Sequence, residues 1–456
     1  MTSTFKQGPA ALRATSSLSS TAAAAAAVSG RLVSGYTSLH WAVENDDGDA
    51  VALLLSAGAD VNRAAAFDAH AGVTPLHLAA QDGHTEVAAA LLRHGAERDP
   101  RKSTRHRDNV TPLHQAVYNG HAATVGVLLA AGCDPGVQAD NGYAALHYAA
   151  QRGDVAMTRA IVGAPGCDAA LRASTRDQRD ITALHLAVQS ASVDVVRALA
   201  AAGAPVDAGK RMADGVAGVT PLHQAVYQER DEIVAALLEL GADARQSMDG
   251  WYTPLHVAAE KGSAAIARRL LEAMRPVAGE VEAAPQGGVD ARASHGEHVD
   301  VTPLHVAAQH GHADLIRLLL DAGADTAAVR GFGDRGAITA LHLAAENGFV
   351  DAVAALLEST HLLVEARDSL GFTALHLAAQ YQFPRVARAL VAAGADTSAR
   401  TDDGLTAWDI ADRQHDTPVL EILEPAMPRA PETIPALADK RKSSKLRGLL
   451  CGLNKH

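Results

Sequence analysis

Polar and apolar positions recur along most of the chain in one fixed order. A Thr stands before Pro or Ala, Leu-His follows, and two residues on comes Ala-Ala or Ala-Val, as at Ala79-Ala80 and Ala307-Ala308. A short polar step then leads to a Gly, such as Gly83, Gly120, Gly262, Gly311 or Gly348. A second apolar-periodic stretch follows, for example Val87, Leu91 and Leu92, or Leu315, Leu318, Leu319 and Leu320, and it closes on Gly-Ala-Asp at Gly58, Gly241, Gly323 and Gly394. Thr is a good N-cap and Pro suits the first helical position, where its missing N–H costs nothing. Gly ends a helix by taking the left-handed conformation after the last turn. The pattern therefore predicts helix, turn, helix and a projecting loop.

The unit repeats ten times, at Thr37-Ser-Leu-His40, Thr74-Pro-Leu-His77, Thr111-Pro-Leu-His114, Ala144-Ala-Leu-His147, Thr182-Ala-Leu-His185, Thr220-Pro-Leu-His223, Thr253-Pro-Leu-His256, Thr302-Pro-Leu-His305, Thr339-Ala-Leu-His342 and Thr373-Ala-Leu-His376. A degenerate eleventh copy reads Thr406-Ala-Trp-Asp409. Successive starts are 37, 37, 33, 38, 38, 33, 49, 37, 34 and 33 residues apart. A period that only lengthens from 33 is a repeat with loop insertions. No such unit buries its own apolar face, so the units are expected to stack and share a core.

The order Thr-Pro-Leu-His-x-Ala-Ala-x-x-Gly-His, then Leu-Leu-x-x-Gly-Ala-Asp, resembles the ankyrin repeat, best in Thr74 to His84 and in Thr302 to Asp325. The resemblance covers about residues 32–424. It implies an all-α solenoid of stacked helix-turn-helix units with projecting loops, and a structural role for the motif His, tying the helix start to adjacent loops. That role is carried onto His40, His77, His114, His147, His185, His223, His256, His305, His342 and His376. A catalytic or metal array is the competing reading. One His per unit, with units about 10 Å apart, cannot converge on one ion at bond lengths of about 2 Å. Trp408 and Asp409 in the last copy, and the position of the first, suit terminal caps. Copy four lacks the Thr, and copy five has Ser190-Ala191-Ser192 in place of the Gly, so both are expected to be looser.

Composition narrows the function. Residues are 48% apolar and 20% charged, and no run of about 18 apolar residues could cross a bilayer. Aromatics number only 3 Trp, 7 Tyr and 6 Phe, so the core must be thin layers of Leu, Val and Ala. Cys133, Cys167 and Cys451 are odd in number and far apart, which argues for a reducing compartment over a disulfide framework. The net charge is -12, yet residues 1–31 carry +3 and residues 440–456 carry +6 without an acid. Taking +3 and +6 from -12 leaves -21 for residues 32–439, which disfavours nucleic acid as a partner.

Chemistry finds no foothold. Gly331-Phe-Gly333-Asp-Arg-Gly336 spells the dinucleotide pattern, but it falls between repeats with no apolar strand before it and is expected to be a flexible finger tip. His295 and His298, with His310 and His312 nearby, suggest metal only weakly, since His312 fills the usual Gly-His position. The reading assigns no cofactor, no metal and no catalytic residue.

Function then falls to surface side chains. On the first helix of each unit, one stripe follows the motif His (Trp41, Leu78, Gln115, Tyr148, Leu186, Gln224, Val257, Val306, Leu343, Leu377), and a second lies nearer the Gly (Glu44, Gln81, Tyr118, Gln151, Gln189, Tyr227, Glu260, Gln309, Glu346, Gln380). In ankyrin proteins this helix face and the loop tips line a concave binding surface, so aromatic anchors there are expected hot spots. The candidates are Trp41, Tyr118, Tyr148, Tyr227 and Trp251; the competing reading is packing on a neighbouring unit. The loop after repeat two adds Arg101, Lys102 and Arg105, a basic patch that could orient an extended partner against the acidic insertion near 275–300.

Residues 1–31 and 425–456 are expected to be disordered tails, with a transit peptide as the alternative for the first. The basic C-terminal tail, with Leu446, Leu449, Leu450 and Leu453 at helical spacing, is the one place for membrane contact, and Lys440-Arg441-Lys442 resembles an import patch. The expectation is a monomeric, non-catalytic scaffold or adaptor, cytoplasmic with a nuclear location as the alternative, holding a protein partner. Its alternative is a substrate-recognition or regulatory subunit of a larger enzyme complex.

Overall fold

The computed structural model describes residues 36–67, 70–103, 109–175, 177–249, 251–275, 288–333, 335–359 and 364–424. The expected tails, and Arg105 in the basic loop, lie outside them. Among the described residues there are 22 helices, two for each of the eleven units, and two compact bodies, one ending at Ala213 and the other beginning at Asp214. Repeats one to five belong to the first body and repeats six to eleven to the second.

Each repeat begins as the pattern predicts. In repeat three, Thr111 is extended, at φ -95° and ψ 166°; its side chain accepts from the His114 N–H and the helix Pro112–Asn119 follows. Gly120 ends it at φ 87°. The second helix, Ala122–Ala130, buries Thr124, Val125 and Leu128 on one side. First helices of successive repeats pack side by side within each body, as Pro75–Asp82 does against Pro112–Asn119 and Pro303–His310 against Ala340–Glu346. The small pairs permit this approach: Ala79, Ala80, Ala307, Ala308, Ala344 and Ala345 are wholly buried. Between them Leu76, Leu113 and Leu184, or Leu222, Leu304 and Leu341, fill each layer, every buried Leu contributing about 1.5–3 kcal/mol.

Five repeats lack the Gly, and there an ordinary residue takes the left-handed conformation: Asp46 at φ 53°, Ala191 at 60°, Glu229 at 55°, Gln382 at 61° and His415 at 55°. In copy five, Ser190 Oγ bonds the Ala150 and Ala187 carbonyls, the first of these in the preceding repeat. The turn expected to be loose is thereby tied to its neighbour.

The fingers between repeats are not the featureless loops of an all-helical solenoid. In the first body β1 (Ala65–Phe67) pairs with β2 (His70–Val73), β3 (Arg172–Ala173) with β5 (Ile181–Thr182), and β4 (Gln178–Arg179) with β6 (Arg211–Met212), all antiparallel. In the second body β7 (Ala293–His295), β8 (His298–Val301), β9 (Arg330–Phe332) and β10 (Arg335–Ile338) form one antiparallel sheet in the order β10-β9-β8-β7. The glycine-rich stretch is therefore corrected from a flexible tip to paired strands, Gly331 and Phe332 on β9 and Arg335 and Gly336 on β10, and the described end of the long insertion forms the other half of the sheet. No helix among the described residues is long and apolar enough to cross a membrane.

Candidate protein-binding face

The motif histidines are buried at the base of every finger. In repeat three the Thr111 N–H donates to His114 Nδ1 at 3.1 Å, the Thr111 hydroxyl lies 2.9 Å from that nitrogen, and His114 Nε2 donates to the Tyr143 carbonyl at 3.1 Å. A carbonyl only accepts, so this arrangement fixes the neutral ring with its proton on Nε2. The same forward bond runs from His40 to Val73, His77 to Val110, His223 to Tyr252, His256 to Val301, His305 to Ile338, His342 to Phe372 and His376 to Leu405. Each acceptor belongs to the residue just before the next cap, so each ring holds the next finger in place. His185 repeats the local half of the bond, with Nδ1 2.9 Å from Thr182 Oγ1. His147 departs from the set. Ala144 supplies no hydroxyl, and Nε2 makes no hydrogen bond although the Ile181 and Leu171 carbonyls are near.

Burial holds these rings neutral. The imidazole value is lowered to about 3 at His77 and His305, where Lys102 and Arg330 add to the effect of burial, and to about 4 at His40, His147, His223 and His256. In the last unit Asp409 takes over the local role. Its carboxylate accepts from the Thr406 N–H at 2.8 Å and the Thr406 hydroxyl at 2.7 Å.

The two stripes on the first helices separate sharply. Leu78, Tyr148, Leu186, Gln224, Val257, Val306, Leu343 and Leu377 are buried, and only Trp41 and Gln115 of that stripe are half-buried. The stripe after the motif His is thus an inter-repeat contact, not a free surface. The second stripe is half-buried or exposed at all ten positions from Glu44 to Gln380. It is the surface that the repeat leaves open.

The expected anchors divide accordingly. Tyr118 is 54% exposed on the second stripe, and Arg152 of the next repeat donates to its carbonyl at 2.8 Å. Tyr227 is half-buried there with the Lys261 ammonium 3.7 Å above its ring. Trp41 is half-buried at the start of the first body. Tyr148 is corrected from surface anchor to core: it is 3% exposed, edge-on to Tyr118 at 5.8 Å and to Tyr143 at 5.2 Å. It supports Tyr118 from beneath. Trp251 lies on a finger, with its ring 4.1 Å from His295.

The basic loop is also corrected. Arg101 is exposed, 3.5 Å from Asn109 Oδ1, but Lys102 is 2% exposed with its ammonium 3.5 Å from Gln81 Oε1, and burial lowers its value to about 8. Its backbone bridges Val110, which turns the side chain inward under the finger. The sequence reading missed a network in the second body. Arg335 bonds Glu346 at 2.9 Å and the buried Asp368 at 2.7 Å, and the Tyr381 hydroxyl donates to Glu346 at 3.2 Å. The signal was present in the glycine-rich stretch, since Arg335 is its one cation, but only the paired strands bring it over the helix stripe.

The sequence model described as Ankyrin repeats (3 copies) matches in overlapping segments, 39–139, 113–210, 146–248, 205–281, 222–330, 281–365 and 304–401. Among solved structures, the ankyrin repeat domain of Bcl-3, described as a unique member of the IkappaB protein family, is 28% identical with a TM-score of 0.44, the match covering 54% of this chain and 99% of that one. No curated protein sequence matches. Matches that together run from residue 39 to residue 401, over histidine-pinned fingers and paired helices, make this chain a member of the ankyrin repeat family.

Proposed function

We propose that the protein is a non-catalytic interaction scaffold that holds a protein partner on the second stripe of its first helices and on the adjoining fingers. Ankyrin repeats are in general protein-interaction modules, and one observation supports this use of the face: the second stripe stays accessible in every one of the ten full repeats, while most of the stripe after the motif His is given over to packing. Stacking does not bury those positions, and their composition suits an interface, with Tyr118 and Tyr227 set among Gln and Glu. Tyr118 is an anchor because Tyr148 fixes the ring from below, so little side-chain freedom is lost on binding. Tyr227 is held by Lys261 in the same way.

The test is affinity capture with quantitative mass spectrometry, using the wild-type chain and a Tyr118→Ala/Tyr227→Ala variant. The scaffold reading expects a specific protein to be recovered at least tenfold less by the variant. Equal recovery of every captured protein by both chains would contradict it.

A further inference from the structure

One row of side chains crosses the four-stranded sheet of the second body. His295 on β7 is paired with His298 on β8, His298 with Phe332 on β9, and Phe332 with Arg335 on β10. Directly paired residues share a face of a sheet, and the rings of His298 and Phe332 are 4.6 Å apart. Trp251 lengthens the row at one end, 4.1 Å from His295. At the other end Arg335 joins it to the helix stripe through Glu346. The opposite face carries Val299 against Gly331 and belongs to a separate surface. His295 is exposed, and Trp251, His298, Phe332 and Arg335 are half-buried.

Charge surrounds this row unevenly. Residues 214–424 hold 15 Lys and Arg against 31 Asp and Glu, a balance of -16, whereas residues 36–213 hold 15 against 19, a balance of -4. The cations near the row are already engaged or enclosed: Arg335 is clasped by Glu346 and Asp368, the exposed Arg292 lies 3.7 Å from the Asp300 carboxylate, and Arg330 is buried. Burial and Arg330 keep the His298 ring below its ordinary value, so it adds no charge at neutral pH. Glu297 flanks it on the turn before β8, and Asp300, partly neutralised by Arg292, flanks it on β8. The result is a line of flat rings with carboxylates at its margins.

We propose that this row binds an extended, arginine-bearing segment of a protein partner, with guanidinium groups stacked on Trp251 and Phe332. The inference rests on the scaffold reading and names the partner chemistry for one part of the face. Guanidinium combines positive charge with a planar surface that stacks on aromatic rings, and it is more weakly hydrated than an ammonium. Two strand spacings of about 4.8 Å and the step to Trp251 place the end rings at most roughly 14 Å apart, about the span of residues i and i+4 in an extended chain. An acidic segment would meet the surplus negative charge. A lysine segment would gain the charge but lose the stacking.

The test is fluorescence anisotropy of the full chain with a labelled peptide of alternating Arg and Ser, beside Lys-Ser and Glu-Ser peptides of equal length. The Arg peptide is expected to bind at least fivefold tighter than the Lys peptide, and the Glu peptide not to bind. Trp251→Leu and Phe332→Leu should each weaken the Arg peptide at least fivefold, with melting curves confirming the fold, and Leu53→Ala, on the exposed side of a second helix, should leave it unchanged. Should one of the two variants fail to fold, the other decides. Equal affinity for the Arg and Lys peptides, or wild-type affinity in a folded variant, would overturn the proposal. A protein partner captured undiminished by both variants would overturn it while leaving the scaffold reading standing, and capture of no protein at all by the wild-type chain would sink the scaffold reading.

Discussion

His256 Nε2 donates to the carbonyl of Val301 at 3.0 Å, across 45 residues of chain. The corresponding bond from His40 to Val73 spans 33. The long insertion before repeat eight therefore leaves the ring at the finger base with the same acceptor. A buried imidazole that clasps its own cap on one side and the next finger on the other is what lets the fingers vary in length without disturbing the stack.

If that clasp carries stability, its strength should follow its bonds. His114→Ala removes a ring bonded on both nitrogens, which takes the acceptor from the Thr111 N–H and one of two donors from the Tyr143 carbonyl, the other being the Ala139 N–H. Such losses cost about 1–3 kcal/mol for each unsatisfied group. His147→Ala removes a ring that has neither the hydroxyl contact nor an Nε2 bond. In urea unfolding followed by circular dichroism, His114→Ala should lower the midpoint clearly more than His147→Ala. Equal shifts would mean that ring volume, not hydrogen bonding, is the contribution.

The same rings set the acid response. An unfolded imidazole takes up its proton below about pH 6.5, but the folded ones, lowered to about 4 or 3, do not. Between those limits the unfolded chain binds more protons, so stability rises with pH there and is level above about pH 7. Each fully buried ring contributes up to about 1.4 kcal/mol per pH unit in that window. Thermal melts should be flat from pH 7 to 8 and fall steeply from pH 6.5 to 4.5. His223→Gln should flatten the slope, and an unchanged slope would refute the assignment.

The helix breaks yield a prediction of opposite signs. Ala191 holds φ 60°, a conformation that costs a residue with a Cβ roughly 1–2 kcal/mol. Ala191→Gly should raise stability by about 0.5–1 kcal/mol after the added chain entropy of Gly is subtracted. Gly83→Ala should lower it. A Cβ at Gly83 would stand 2.5 Å from the His121 ring of the next repeat, whose Nε2 bonds the Gln81 carbonyl at 2.9 Å. Differential scanning calorimetry of the two variants decides the matter.

The period and the caps were legible in the chain because Thr, Pro, His and Gly each do one local job at a fixed spacing. Two features were not. The residue after the motif His reads as surface in Tyr148 and Gln224, yet both are buried, because the stacked neighbour and not the helix itself covers that position. Lys102 reads as a loop cation, and only the bridge between Lys102 and Val110 folds it under the finger. The strands of 2 to 4 residues carry no periodicity of their own and arise from each finger folding back on itself, with β4–β6 and β8–β9 joining neighbouring fingers. Helix faces follow from sequence alone, but the contacts made by stacking depend on residues a full repeat away.

The central claim is that a partner is held on the second stripe and fingers. Hydrogen–deuterium exchange of the chain, alone and with its captured partner, tests it most directly. Partner binding should protect peptides from the first-helix ends and fingers, including those containing Tyr118, Tyr227 and the 293–301 and 330–338 strands. Peptides from the second helices, such as Ala122–Ala130 and Ala313–Asp321, should exchange as before. Protection confined to those second helices would contradict the account.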